Sequence, residues 1–203
     1  MTSSQSETDT TTHRLQGLAD EVAKSVGGEA TITFDTVKVH VPPQQWVAAL
    51  TTARDDLGFV FFSWLSAVDW SSEVEVGDPP GEDVPERFEL LAAVGDVSDG
   101  NRVIFTTDVS KESPVIPSLV DIYSGANWHE REAHEMFGID FEGHPNLAHL
   151  YLPDSFMGNP LLKSYPLLSR EVKPWPGTVD VEGMPGGGDE EPAEGPSEEN
   201  PEA

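Results

Sequence analysis

The chain has 203 residues, with 37 Asp or Glu against 11 Lys or Arg, a net charge of −26 and no cysteine. That balance disfavours nucleic acid and anionic lipid as direct partners, since both need a basic surface. The missing cysteine excludes disulfides, thiolate-held iron–sulfur clusters and a thiol nucleophile in this chain.

Residues 1–13 are polar and Ser/Thr-rich, and read as disordered. They hold neither the basic nor the apolar segment of a secretory signal. Leu15, Leu18, Ala19, Val22 and Val26 fall at helical spacing, and Gly27-Gly28 closes that amphipathic helix. Ala30–Phe34 and Val37–Val41 flank Asp35-Thr36 and read as a hairpin with one buried face; His40 points to the wet side. Pro42-Pro43 opens a second helix over 43–57, closed by Gly58. Phe59–Val68 is apolar on both faces, which predicts a central strand. The longest apolar stretch, Leu57–Val68, is about half the length needed to span a bilayer.

Ser71–Pro85 is an acidic surface loop. Arg87–Val97 and Arg102–Val109 pair across Ser98-Asp99-Gly100 as a second hairpin. Pro114–Tyr123 reads as a turn plus a short helix. The order of elements predicts an α+β domain, with helices on one face of a mostly antiparallel sheet. Residues 178–203 hold nine Asp/Glu and no Lys or Arg; without those nine carboxylates the charge of −26 is still −17.

Residues 124–166 carry four of the six histidines. Asn127 and Glu130 have capping-box spacing, Trp128–Met136 reads as a helix, and Gly138 ends it. His129 and His134 are five apart, about 140° around a helix, so they do not share the face that a zinc-protease pair needs. A metal hydrolase built on His129, His134 and His144 is therefore the lesser reading. Nothing resembles a nucleophile elbow, a phosphate loop or a dinucleotide fingerprint. Glu130, Arg131, Glu132 and Glu135 read as ion-pairing residues that hold the helix to a neighbouring surface. Beyond Gly138 twelve large apolar residues are interrupted by Pro145, Pro153, Pro160 and Pro166. Such a Pro-rich run forms neither a helix nor a central strand, and reads as an extended arm that must bury its side chains against its own domain or a partner, with the surplus of apolar side chains favouring a partner.

Trp128-His129-Glu130-Arg131-Glu132, Met136-Phe137-Gly138-Ile139, Phe141-Glu142-Gly143-His144-Pro145 and Leu152-Pro153-Asp154 together resemble one family. It is the thirty-kilodalton subunit, also called the C subunit, of proton-pumping NADH:quinone oxidoreductase, respiratory complex I. Pro114–Val120 resembles the family's approach to this helix, and the likeness is closest over about 85–166. One segment departs from the pattern: Asn159, Leu162 and Ser164 stand where a His, an Arg and an Asp are expected.

The resemblance implies a non-catalytic peripheral-arm subunit that helps assemble the quinone-reducing, proton-translocating module. Flavin and iron–sulfur clusters are implied in partner subunits, with no cofactor in this chain. The implied partners are the homologues of subunits B, D and I. The implied location is the cytoplasmic face of the cell membrane, peripheral and held through other subunits. The equivalent subunit of a membrane-bound hydrogenase or of a ferredoxin-fed relative is the alternative. The expected organisation is a disordered N-terminus over 1–13, a domain over 14–138, a partner-binding arm over 139–180 and a disordered acidic tail over 181–203. The residues expected at the partner surface are Trp128, Glu130, Arg131, Glu132, Phe137, His144, Pro145, Lys163 and Tyr165. Truncation after Gly138 is expected to leave a folded domain that no longer binds the D homologue, the partner that helps form the quinone site.

Overall fold

The computed structural model describes residues 3–71 and 84–166, with side chains from His13 onward. The acidic loop over 72–83 and the chain beyond 166, with the predicted tail, lie outside the described residues. The first helix, α1, spans Ser3–Val26 and so begins well before Leu15, the first of its periodic residues, within the stretch 1–13 expected to be disordered. Extending an existing helix closes one backbone bond per residue, and α1 runs back through a stretch whose composition reads as disordered. Gly27, at φ 71°, ends it. A Cβ on Gly28 would stand 2.6 Å from the His40 carbonyl oxygen, so only glycine fits there.

β1 (Glu29–Thr33) and β2 (Thr36–His40) form the first hairpin. Its two turn residues, Phe34 and Asp35, both have positive φ, at 49° and 58°. A two-residue turn that matches strand twist requires this, and the left-handed region is costly for phenylalanine. A 3-10 turn over Pro43–Gln45 leads into α2 (Trp46–Asp55). β3 (Phe61–Asp69), β4 (Phe88–Gly95) and β5 (Arg102–Val109) complete a five-stranded sheet in the order β1-β2-β5-β4-β3. Every neighbouring pair is antiparallel except β2 with β5.

β3 is therefore an edge strand, not the central one its sequence predicts. Leu65 and Ala67 enter the core, while Val60, Phe61 and Val68 stay 62%, 55% and 38% exposed. Apolar residues on both faces report a demand for burial, and the described chain meets that demand only on one side of β3.

Val22 from α1, Trp46 and Leu50 from α2, and Val37, Val39, Leu90 and Phe105 from the sheet are fully buried together. The other side of the sheet carries polar cross-strand pairs, Lys38 with Glu89 and Arg87 with Asp108. His40 Nδ1 lies there, 3.3 Å from Thr106 Oγ1.

Pro114–Tyr123 holds the expected turn, at 120–122, where the Ile122 and Tyr123 N–H groups donate to the Leu119 carbonyl, but a short strand stands in place of the expected short helix. Val115–Pro117 is a strand, β6, pairing in parallel with β7 (Asp140–Glu142). Between them α3 spans Ala126–Phe137. The pairing of β6 with β7 draws Ile116, Ile139 and Phe141 into the core, at 1%, 0% and 2% exposure. The domain thus does not end at Gly138. The first part of the predicted arm is core.

Candidate functional site

α3 is the element on which the predicted site residues converge, and its two ends differ from the sequence reading in one respect. The N-terminal cap is Gly125, without a side-chain bond, so Asn127 lies inside the helix and the expected capping box is absent. The C-terminal end is as read: Gly138 is left-handed at φ 76°, and its N–H donates to the His134 carbonyl.

Glu130 is fully buried and faces this chain, not a partner. Leu119 N–H donates to its Oε1 at 2.6 Å, and Ser118 Oγ lies 2.6 Å from Oε2. Burial raises its pKa to about 7 despite those two bonds. Phe137 is also turned inward, packing edge-on against Phe88 with ring centroids 6.3 Å apart. These two residues are therefore withdrawn from the expected partner surface.

Arg131 does not grip a carboxylate. Its Nε and Nη2 donate to the Ala148 and His149 carbonyls at 2.8 and 2.7 Å, and its guanidinium lies 5.7 Å from the Trp128 ring centroid. Trp128 itself is 63% exposed. Glu132 is half-buried, and Pro145 is exposed. His144 uses both ring nitrogens locally: Nε2 lies 3.1 Å from the Asn127 carbonyl, and Nδ1 is 3.0 Å from the Asn146 N–H. Tyr165 stacks on Phe156. The Lys163 backbone N–H donates to Asp69 Oδ2 at 3.0 Å. Burial would raise the Asp69 pKa, but bonds from Ser71, Lys111 and Lys163 hold it at about 2.

The residue that sequence reasoning undervalued is Glu135. It is 3% exposed, and it accepts the backbone N–H groups of Leu150, Tyr151 and Leu152. Burial works to raise its pKa, and these bonds more than offset that, so it is lowered. Asn159, one of the departures from the family pattern, donates from Nδ2 to the Glu135 carbonyl at 2.9 Å and so caps α3. Leu162, a second departure, packs against the core. Both changes are met by this chain's own α3 and core. A polar helix face spaced at i, i+4 was the available signal for Glu135, but an extended run gives no sign of which carboxylate will collect its amides.

The result is a hydrogen-bonded ledge. Arg131, Glu135 and Asn159 fasten the irregular run to α3, and outward from it project Trp128, Tyr151, Met157 and Leu161, at 63%, 63%, 82% and 53% exposure. His129 and His134 diverge: His129 packs on Phe62, and His134 Nδ1 meets the Ile139 carbonyl at 3.0 Å. Among the described residues no three His, Cys, Asp or Glu side chains group as metal ligands would.

The sequence family described as "Respiratory-chain NADH dehydrogenase, 30 Kd subunit" matches residues 39–171, which include all of α3 and the ledge. The chain belongs to that family. A relative from Methylobacterium sp. (strain 4-46), the C subunit of its NADH-quinone oxidoreductase, is 34% identical over 79% of this chain and 72% of its own length. The corresponding C subunit from Roseiflexus sp. (strain RS-1) is also 34% identical, over 78% of this chain and 85% of its own. A trypsin-resistant fragment (1-134) of Nqo5 is structurally similar, with a TM-score of 0.56 and 25% identity, over 66% of this chain and 98% of the fragment. A chain of a membrane-bound sulfane sulfur reductase, an archaeal respiratory complex, shares the fold at 21% identity and a TM-score of 0.56. Among the described residues no helix is long and apolar enough to cross a membrane.

Proposed function

We propose that this chain is a non-catalytic scaffold of an NADH-quinone oxidoreductase, seated on the cytoplasmic face of the cell membrane through other subunits. Its contacts are the homologues of subunits B, D and I, and it carries no cofactor of its own. One observation carries the reading. Four large apolar side chains stand exposed on a ledge whose backbone is held by a buried carboxylate, a guanidinium and a capping amide. Chain fixed in this way loses little further entropy when a partner packs on it, which is how a preformed interface gains affinity. Aromatic and Met side chains are the types that interfaces favour.

The test is Trp128→Ala with Tyr151→Ala, in cells that co-express the other peripheral-arm subunits. Recovery of the D homologue should fall at least about tenfold, the loss expected when interface anchors are truncated. The melting temperature of the isolated chain should stay within a few degrees of wild type. Recovery at the wild-type level would refute the ledge as the interface. Elemental analysis of the isolated chain should find no stoichiometric transition metal.

A further inference from the structure

The far end of the irregular run is held not from α3 but from the sheet. Asp69 closes β3, and its side chain is buried. Its Oδ1 accepts the Ser71 N–H at 3.1 Å, the Ser71 hydroxyl at 2.6 Å and Lys111 Nζ at 2.9 Å. Its Oδ2 accepts the Lys163 N–H at 3.0 Å. Lys111 Nζ also donates to Ser71 Oγ and lies 5.3 Å from the Phe88 ring centroid. One carboxylate thus joins the end of β3 to the chain after β5 and to the run, 42 and 94 residues away in sequence.

The span that this carboxylate holds does not lie flat on the domain. Leu150, Tyr151 and Leu152 hang on Glu135, and Asn159 and Leu161 reach the Glu135 and Met136 carbonyls at the end of α3. Between those points an open cleft of about 320 Å³ lies between the run and α3, with Leu152 and Phe156 on one wall and His134 on the other. Beyond Leu161 the run turns on itself: Leu162 and Tyr165 N–H groups donate to the Asn159 and Leu162 carbonyls. Such local turns shape the run but do not fix where it stands on the domain. The bond to Asp69 does, with Leu162 packed on the core beside it. A bond to an ionised acceptor is about twice as strong as a neutral one, and this acceptor lies out of water.

We propose that Asp69 is a positioning residue of the partner surface. It touches no partner itself; through the Lys163 amide it sets where the exposed side chains of Leu161 and Lys163 stand. This role rests on the scaffold reading above and deepens it, because it makes partner affinity depend on a carboxylate buried in the domain.

Asp69→Asn, Leu161→Ala, their double variant and Glu89→Gln are compared with wild type, as isolated full chains and co-expressed with the other peripheral-arm subunits. Glu89 is the matched control, a buried carboxylate whose bonds run to Lys38 and Trp70 across the sheet. In isolated Asp69→Asn, hydrogen exchange at the Lys163 amide should speed at least about tenfold, while Leu150–Leu152 keep their protection. Recovery of the D homologue should fall about tenfold, the cost of ordering one or two side chains anew on binding. Leu161→Ala should lower recovery too, and the double variant should lose little more than the worse single one, since a missing side chain cannot be misplaced. Glu89→Gln should melt earlier than wild type and keep wild-type recovery.

Unchanged exchange at Lys163 in Asp69→Asn would overturn the proposal. So would losses that multiply in the double variant, wild-type recovery of Leu161→Ala, or a loss in Glu89→Gln equal to that in Asp69→Asn. Wild-type recovery of Asp69→Asn would refute positioning as well. If Trp128→Ala with Tyr151→Ala still loses the partner in that case, the scaffold reading stands; if that variant binds normally too, both readings fall. Should Asp69→Asn not fold, the wild-type chain decides: Lys163 protected as well as Leu152 supports the role of Asp69, and exchange there at the rate of an open amide refutes it.

Discussion

Replacing Glu130 by Gln should stabilise the chain at alkaline pH and do little in mild acid. Glu130 is fully buried, and its folded pKa is about 7 against an ordinary 4.5. A carboxyl with a raised folded pKa favours the fold while it stays protonated. That contribution is complete below the unfolded value and is lost as pH rises through the folded one. Between pH 4.5 and 7 the unfolded chain ionises freely while the folded chain does not. The resulting penalty is under about 1 kcal/mol at pH 5 and reaches about 3 kcal/mol by pH 8. Glutamine keeps an oxygen for Leu119 N–H and offers an amide to Ser118 Oγ, so the buried polar groups stay paired. Thermal unfolding of both chains from pH 5 to pH 8 reads the difference. The gap should widen by about 5–10 °C in favour of the variant, taking 2–4 °C per kcal/mol for a domain of this size. Ionisation of every other group is common to both chains and cancels. A gap that stays constant across this range, or a variant less stable than wild type at pH 8, would show that Glu130 is accommodated as a carboxylate.

Three further outcomes follow from the packing. Glu135→Ala leaves the amides of Leu150, Tyr151 and Leu152 without their acceptor. Hydrogen exchange at those three should accelerate and stability should fall by about 3 kcal/mol; unchanged protection would mean that water replaces the carboxylate at no cost. Thr107→Val removes a buried hydroxyl that has no partner among the described residues, and denaturant unfolding should show a gain of about 1 kcal/mol. Truncation after Gly138 deletes Ile139 and Phe141 from the core. It should cost at least about 4 kcal/mol and flatten the near-ultraviolet circular dichroism, whereas a cooperative wild-type-like melt would place the domain boundary back at Gly138.

Periodicity located α1, α2 and the first hairpin, which carry their own repeats, while end and turn signals located α3 and the second hairpin. It could not place β3. Alternation, or its absence, reports how many faces of a strand want burial, and strand order is fixed by pairing partners distant in sequence. The same limit hid β6 and β7, three residues each, whose pairing joins Val115–Pro117 to Asp140–Glu142 across α3. Glu130 was legible as a notable residue and misread in role. Spacing marked it as a cap, while the fold placed Ser118 and Leu119 against it. Family likeness pointed to α3 as the candidate site, but whether a side chain faces outward or inward depends on contacts that a motif does not encode. Trp128 and Arg131 stay at the surface, and Glu130 and Phe137 do not.

The edge position of β3 bears on the life of the chain before assembly. Among the described residues no strand pairs with its outer side, and Phe61 and Val68 stand open beside that free ladder. A subunit made in excess of its partners therefore presents a template for strand-to-strand stacking for as long as it waits. The charge of −26 supplies a counterweight, since copies repel before their edges can meet. That repulsion reaches only about 8 Å at physiological ionic strength and about 3 Å at 1 M salt. The orphan subunit should thus remain dispersed in dilute buffer and coalesce into β-rich aggregates as salt is raised, so that electrolyte, as much as partner supply, sets how long it survives alone.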